Sequence, residues 1–369
     1  MTQPTSYRIV ALPGDGIGPE VTDAALHVLQ AVADAAGFTL EIDEHLIGGA
    51  ALDATGEPLP MATRMACRGA DAVLLGAVGG PKWDDATGDQ RPEAGLLDLR
   101  KLLGAYANLR PVTVHPTLAE ASPLRPEDVR NTDLLIVREL TGGIYFGTPR
   151  EQTPTAAFNT MRYTRDEVAR IARVAFERAK RRDGRVTSVD KANVLDVSRL
   201  WREVVTELHA DEFPDIELNH LYVDNAAMQL TRAPRQFDVI LTGNLFGDIL
   251  SDLAATLPGS LGLLPSASVG GKVGLFEPVH GSAPDIAGQD VANPIGAILS
   301  GALLLDELGE TRAATTVRGS VSTAFDAGLR TKDLWRYGQE RVSTSVLGKR
   351  IAAHAAQTLH KETKNVSSS

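Results

Sequence analysis

The chain has 369 residues, of which 43% are hydrophobic and 23% charged, a composition typical of a globular protein with about two domains. Its formal net charge of −10 argues against nucleic acid or a membrane as a partner, so an anionic substrate would need a local concentration of positive charge. The single cysteine, Cys67, cannot form an internal disulfide, and no apolar signal segment opens the chain, so we expect a cytoplasmic location.

The first predicted elements are a strand at residues 9–12, a glycine-rich turn and a helix near Pro19. The turn matches the dinucleotide-binding fingerprint only in part, because the third glycine of that fingerprint would stand where this chain has proline. It is therefore either a close strand-to-helix connection or a phosphate site, and the first reading is favoured. A strand at residues 72–75 and a helix at residues 94–103 follow.

Three arginines lie near this helix and the next strands. Arg100 and Arg110 flank the segment KLLGAYANL, and Arg138 directly follows an apolar run at residues 134–137. A strand of that composition should be interior, where an unpaired guanidinium is costly, so Arg138 needs an anion. Each arginine alone suits a surface charge or half of an ion pair. Three in one pocket would bind a di- or tricarboxylate by planar two-point contacts.

Tyr145 stands among glycines in TGGIYFG, a stretch that suggests a hairpin or an arm. Thr164 and Glu167 form a capping box for the next predicted helix. A strand at residues 186–189 then places Lys191 just beyond its carboxyl end, where α/β sheets carry their sites. Lys191 is therefore either a solvated lysine at a strand end or a catalytic base.

Three aspartates follow predicted strands in the same way. Asp224 comes after a strand at residues 217–223, and Asp248 and Asp252 come after a strand at residues 237–241. The latter two are four residues apart on one helix face, with no basic residue three or four positions from either one. They are either solvated aspartates near a helix start or ligands of a hard divalent cation. Their apolar context favours the cation.

Several long stretches resemble the β-decarboxylating dehydrogenases of the isocitrate/isopropylmalate type, most closely the members that oxidise 3-isopropylmalate. They are LPGDGIGPE, LRKLLGAYANLRP, VRELTGGIYFG, VDKANVL, NLFGDILSDLAATLPGSLGLLPSAS and FEPVHGSAPDIAG. The resemblance implies an α/β, two-domain isopropylmalate/isocitrate dehydrogenase-like fold that is not a Rossmann fold. Residues 1–105 with 259–369 would form the first, cofactor-side domain, and residues 106–258 a second domain carrying the dimer interface. We expect disorder after Lys361.

The same resemblance implies the roles of individual residues. Lys191 and Tyr145 match the general base and the general acid, and the three arginines match those that bind the substrate carboxylates. The ligands of Mg²⁺ or Mn²⁺ would be Asp224, which also contacts the substrate, with Asp248 and Asp252. The expected assembly is a homodimer with shared active sites, in which Lys191 and Asp224 face the partner subunit's Asp248 and Asp252. The residues expected to bind NAD are His280, Gly281, Ser282, Ala283, Pro284, Asp285, Ile286 and Asn293.

The reaction implied is the oxidative decarboxylation of a small 2-hydroxy diacid, (2R,3S)-3-isopropylmalate, to 4-methyl-2-oxopentanoate and CO₂ in leucine biosynthesis, with NAD as hydride acceptor. Glu93, Leu96 and Leu97 precede Arg100 by about two helical turns or less, and we expect them to line the substrate pocket. The leucines are otherwise core residues of an amphipathic helix.

Alternative substrates within this family are D-malate, tartrate, isocitrate and homoisocitrate. Isocitrate enzymes have a serine and an asparagine in the region where this chain has Glu93, Leu96 and Leu97. A non-catalytic regulatory subunit is the alternative from another class. Such a protein can lose the tyrosine, the lysine or a metal aspartate, and this chain keeps all five.

Overall fold

A computed structural model of the chain describes residues 5–367, without the side chains of Asp89 and of residues 363–367. The strands in chain order are β1 Ser6–Gly14, β2 Thr39–Glu44, β3 Ala72–Ala77, β4 Ala107–Thr113, β5 Asp133–Glu139, β6 Arg150–Gln152, β7 Ala157–Asn159, β8 Arg185–Asp190, β9 Glu217–Tyr222, β10 Val239–Thr242, β11 Pro265–Val269, β12 Gly274–Pro278, β13 Leu329–Arg330 and β14 Glu340–Arg341. The α-helices are α1 Gly18–Ala36, α2 Gly48–Thr55, α3 Met61–Gly69, α4 Pro92–Leu103, α5 Pro126–Val129, α6 Arg165–Ala179, α7 Asp196–Glu212, α8 Val223–Arg232, α9 Asn244–Ala255, α10 Ile295–Glu307, α11 Thr311–Asp326 and α12 Thr344–Ser367.

The chain forms two compact units, Met1–Ala105 with Ser260–Ser369, and Tyr106–Gly259. Cofactor binding by the first unit and the dimer interface on the second stay predictions. The sequence predicts disorder after Lys361. This prediction is wrong for the residues up to Ser367, because α12 continues to that residue. The last two residues lie outside the described part of the chain.

In the first unit the strands follow the order β2-β1-β3-β12-β11, parallel except that β11 runs antiparallel to β12. Helices α1 and α10 pack against these strands, and α12 packs on α1. Alternate residues of β1 and β3, such as Val10 and Val73, form a separate apolar cluster with Cys67 of α3 and Leu99 of α4. Since strand side chains alternate between the two faces, helices cover this sheet on both sides.

In the second unit the order is β4-β5-β10-β8-β9, with β4 antiparallel to β5 and the remaining pairs parallel. Helices α6 and α7 form one packed pair, and α8 and α9 form another. The predicted capping box starts α6, because the Thr164 side chain accepts from the Glu167 backbone and the Glu167 side chain accepts from the Thr164 backbone. The hairpin predicted around Tyr145 lies later in the chain. The stretch TGGIYFG contains the short 3₁₀ helix Gly143–Tyr145, and the antiparallel pair of β6 and β7, made of exposed residues, begins only at Arg150.

The glycine-rich turn between β1 and α1 is tightly packed. A Cβ on Gly14 would lie 1.9 Å from the carbonyl oxygen of Ala77, and one on Gly16 would lie 2.0 Å from that of Ser282. The Asp15 carboxylate accepts the backbone N–H groups of Gly49, Ala50 and Gly79 at 2.7 to 2.8 Å. These contacts support the close strand-to-helix connection, in which Asp15 holds the first turn of α2 and the loop that follows β3.

None of the helices within residues 5–367 combines the length and the apolar character that crossing a membrane would require.

The thiol of Cys67 is fully buried, and this burial raises its pKa to about 12. Because the thiolate is the reactive form, we expect the native protein to resist a thiol-specific colour reagent at pH 8. The same protein in concentrated guanidinium chloride should react fully, which provides the control. Rapid stoichiometric reaction of the native protein would contradict the burial of this side chain.

Candidate active site

Four parallel strands of the second unit end at one edge. Thr242 of β10 is in register with Arg138 of β5 and with Val189 of β8, and Asp190 of β8 is in register with Tyr222 of β9. The residues that end or follow parallel strands therefore gather at this edge, as in other α/β sheets. Those of interest are Arg138, Lys191, Asp224 and the start of α9 with its two aspartates.

Arg138 is the most buried of the predicted site residues in this unit, with 7% of its surface exposed. Its Nη1 donates to Asp248 Oδ1 at 2.5 Å, and its Nε and Nη2 donate to Asn244 Oδ1 at 3.2 and 2.8 Å. A Cβ on Gly247 would lie 2.5 Å from the Cγ of Arg138, so only glycine lets α9 approach this closely. The anion that Arg138 was expected to need is therefore Asp248.

Arg110 of β4 binds the same helix. Its Nη1 donates to Asp252 Oδ1 at 3.0 Å and to Ser251 Oγ at 2.8 Å. The two helix aspartates therefore have basic partners, although none stands at helical spacing along the sequence. Their partners come from β4 and β5, 142 and 110 positions away, where helical spacing could not reveal them.

Tyr145 shares Asp248 with Arg138. The Tyr145 hydroxyl donates to Asp248 Oδ2 at 2.7 Å, and the Arg138 guanidinium lies 6.0 Å from the centre of the tyrosine ring. Partial burial and the hydrogen bond to Asp248 raise the pKa of Tyr145. The phenol is therefore protonated at neutral pH, as a proton donor must be.

Lys191 donates to Asp224 Oδ1 at 2.8 Å, and this pairing lowers the pKa of the carboxyl. The loop that carries Lys191 is anchored by its neighbour Asp190, which accepts from the Ala192 backbone N–H at 2.8 Å. Asp190 also accepts two hydrogen bonds at 2.9 Å from Arg202. Sequence reasoning missed this anchoring role, although an acidic residue at the end of a buried strand was a signal for it.

Among the residues that the structure describes, no three His, Cys, Asp or Glu side chains are placed to hold a metal ion together. One chain therefore does not bring Asp224 into a single ligand group with Asp248 and Asp252. The last two still offer carboxylate oxygens on one helix face, which are the donors that Mg²⁺ and Mn²⁺ prefer.

In the first unit, Arg100 Nη2 donates to Glu277 Oε1 at 2.5 Å, and the Glu277 side chain is only 7% exposed. Sequence reasoning did not single out Glu277. The signal was an acidic residue within the otherwise apolar strand β12, whose charge required a basic partner.

The residues before Arg100 differ in their surroundings. Leu96 packs against the apolar cluster of the first unit, so for this leucine the alternative prediction of a core residue in an amphipathic helix applies. Leu97 is 56% exposed, so its side chain is available to a ligand. The carboxylate of Glu93 is also largely exposed and lies 3.8 Å from Arg91.

The predicted NAD-binding segment begins beside the glycine turn, where the Ile17 backbone N–H donates to the Ser282 carbonyl at 2.7 Å. Asn293 donates to Asp333 at 3.1 Å. Burial lowers the pKa of His280, and the Nδ1 of its ring lies 2.9 Å from the Gly281 carbonyl oxygen. Within the described residues, the buried Nε2 of this ring has no hydrogen-bond partner.

With this geometry established, the chain can be compared with known proteins. The sequence profile described as "Isocitrate/isopropylmalate dehydrogenase" matches residues 8–351. The chain belongs to this family. A relative from Salinibacter ruber named 3-isopropylmalate dehydrogenase is 69% identical over 359 residues, covering 97% of this chain and 98% of the relative. Another of that name, from Oleidesulfovibrio alaskensis, is 60% identical over 348 residues, covering 92% and 97%.

Solved structures of isocitrate/isopropylmalate-type dehydrogenases match as well. An isocitrate dehydrogenase from Methylococcus capsulatus gives a TM-score of 0.82 at 37% identity, covering 95% of this chain and 100% of the other. A β-decarboxylating dehydrogenase from Thermococcus kodakarensis gives 0.81 at 38%, covering 96% and 97%. The predicted family, its fold and dehydrogenase activity on a small molecule are thereby confirmed.

Proposed function

We propose that the protein catalyses the NAD-dependent oxidative decarboxylation of 3-isopropylmalate to 4-methyl-2-oxopentanoate and CO₂ in leucine biosynthesis. The observation that carries this proposal is the 69% identity, over 97% of the chain, to a relative named for that activity. A reducing, cytoplasmic setting accords with the buried free thiol of Cys67.

The proposed substrate contacts are the carboxylate clamp of Arg100, Arg110 and Arg138. Each guanidinium already binds a carboxylate, provided by Glu277, Asp252 and Asp248 respectively. Sites that hold carboxylates in the free protein have the donor geometry that substrate carboxylates also need. Leu97 would then receive the isopropyl group, and Glu93 would repel an additional carboxylate.

The proposed cofactors fit the residues present. Asp248 and Asp252 would hold the divalent cation together with Asp224, and the unpartnered Nε2 of His280 offers a polar atom to the adenosine half of NAD. When bound, the cation would lower the cost of negative charge on the reacting oxygens, and NAD would accept the hydride.

The protein's own residues would move the protons. Beside a cation held at Asp224, Lys191 would lose its ammonium proton more readily, and the neutral amine would accept the proton of the substrate hydroxyl as the hydride leaves for NAD. The resulting 2-oxo acid loses its C3 carboxylate as CO₂, and Tyr145 would deliver a proton to that carbon. The raised pKa of Tyr145, caused by burial and by Asp248, keeps that proton in place until it is needed.

A homodimer with shared sites completes this proposal. Within the described residues of one chain the three aspartates form no common ligand group, and Asp224 is bound to Lys191 instead. These facts support a site in which Lys191 and Asp224 of one subunit meet the partner subunit's Asp248 and Asp252.

The substrate is tested by measuring kcat/KM for 3-isopropylmalate, D-malate and isocitrate under identical metal and NAD conditions. Burial of three carbons at about 0.8 kcal/mol each gives about 2 to 2.5 kcal/mol, or about 30- to 70-fold over the same acid lacking the alkyl group. Leu97→Ala should reduce this preference. Leu261→Ala is the matched control, because Leu261 is 53% exposed and takes no part in the proposed site. Equal or higher efficiency with isocitrate or D-malate would overturn the assignment.

The cofactor preference depends on Asp285, which is exposed and can accept hydrogen bonds from both ribose hydroxyls. A 2′-phosphate would meet its negative charge, so we expect NAD to be favoured over NADP on the order of 100-fold in kcat/KM. Asp285→Asn should narrow that ratio because it removes the charge and keeps the shape. Equal steady-state efficiency of the unmodified enzyme with the two cofactors would count decisively against this role.

The shared site is tested by mixing two inactive variants, Lys191→Ala and Asp248→Asn. Random pairing makes about half of the dimers mixed, each with one intact site, so about a quarter of wild-type activity should return. Each variant incubated alone is the control. Absence of recovery after mass spectrometry has verified subunit exchange would refute a site built from two chains.

A further inference from the structure

Tyr163 lies between β7 and α6 and is 6% exposed. Its hydroxyl accepts the backbone N–H of Asn244, the first residue of α9, at 2.8 Å. Burial and, after it, the nearby negative charge of Glu139 raise the pKa of Tyr163 far above its ordinary value. The hydroxyl thus accepts from the start of α9 and stays protonated while doing so.

Glu139 is the last residue of β5, and its side chain is fully buried. It accepts the backbone N–H of Thr141 at 2.9 Å, the hydroxyl of Thr141 at 2.7 Å and the backbone N–H of Gly142 at 2.7 Å. A buried carboxylate with several donors holds them firmly, because each hydrogen bond is charge-assisted. Glu139 therefore fixes the turn that leads into Tyr145.

The ring of Tyr163 packs against the same turn. A Cβ on Gly142 would lie 2.6 Å from Cε1 of the ring, and one on Gly143 would lie 2.6 Å from the hydroxyl oxygen. On another side the ring meets Trp201 edge to face, with 5.3 Å between the ring centres. Packing and hydrogen bonding thus act on the residues that immediately precede Tyr145.

Asn244 extends the connection to the arginine clamp. Its side chain accepts two hydrogen bonds from Arg138 and donates to the Gly142 carbonyl at 3.3 Å. Two connections therefore join the start of α9 to the turn before Tyr145. One is the hydrogen bond from the Asn244 side chain to Gly142, and the other passes through Tyr163. Together these connections fix the distance over which the Tyr145 hydroxyl reaches Asp248.

We infer, on the basis of the proposed function, that Tyr163 and Glu139 are positioning residues, which hold the turn carrying Tyr145 against the start of α9. Neither needs to contact the substrate. Their effect on the reaction would pass through Tyr145, whose hydroxyl must be held at a set distance from the reacting carbon.

The test compares Tyr163→Phe and Glu139→Gln with the unmodified enzyme. The matched control is Tyr7→Phe, because it likewise removes a hydrogen-bonded hydroxyl, the one that donates to Glu310 at 2.9 Å, but Tyr7 lies in the first unit. We expect kcat to fall by about 10- to 100-fold in the first two variants, since a misplacement of about 1 Å can cost about 100-fold. The KM for NAD should change by less than about twofold, because its proposed binding residues belong to the other unit.

A double-mutant cycle separates positioning from a general loss of structure. If Tyr163 acts through Tyr145, Tyr163→Phe in a Tyr145→Phe background should lower kcat by less than about threefold further. Values of kcat within about twofold of the unmodified enzyme, or losses that multiply fully in the double variant, would overturn the inference. If melting curves show Tyr163→Phe to be unfolded, Glu139→Gln decides by the same criteria.

All variants are assayed with whichever of 3-isopropylmalate, D-malate and isocitrate the unmodified enzyme oxidises best. A wrong substrate assignment would then be seen in the relative kcat/KM values of the unmodified enzyme, without any variant. A failure of the positioning role would appear only in the comparison among variants.

Discussion

The buried guanidinium of Arg138 is the constraint on which the surrounding structure depends. It is the last residue but one of a strand that lies between two others, and a charge in that position without a partner would cost on the order of several kcal/mol. Asn244 and Asp248 satisfy it, and both belong to α9. The helix must therefore start directly beside the end of β5, and Gly247 must have no side chain where the arginine passes. The requirement of one buried cation thus places the helix that carries two of the three candidate metal ligands, Asp248 and Asp252.

The same principle operates at the other arginines. Each of the three is matched with a carboxylate, so each positive charge that the proposed substrate would meet is already neutralised in the free protein. Ion pairs at the surface contribute little to stability, and under the proposed function the partly buried pairs of Arg100 and Arg138 prepare these guanidinium groups for a substrate carboxylate.

Local patterns predicted individual strands and helices, whereas the two-domain α/β fold as a whole was predicted from the family resemblance. The capping box at Thr164 and the strand before Arg138 depend on neighbouring residues, and both are present. Family resemblance supplied the catalytic candidates, which spacing alone left open. The partners of Asp248, Asp252 and Arg100 could not be predicted, because each ion pair joins residues more than a hundred positions apart. Nor did helical periodicity distinguish Leu96, which packs in the core, from the exposed Leu97.

Burial also limits how Arg138 can bind a substrate. Because the guanidinium cannot be left without an anion, Arg138 must exchange one carboxylate for another when a ligand arrives. Asn244 accepts from two nitrogens of Arg138, so the orientation of the guanidinium would be kept while its contact with Asp248 changes. Asp248 would give up part of its contact with Arg138 when it takes its proposed role as a metal ligand, and the substrate carboxylate would replace it. Under the proposed function, binding is then an exchange between anions at a site already desolvated, which avoids the cost of burying a new unpaired charge.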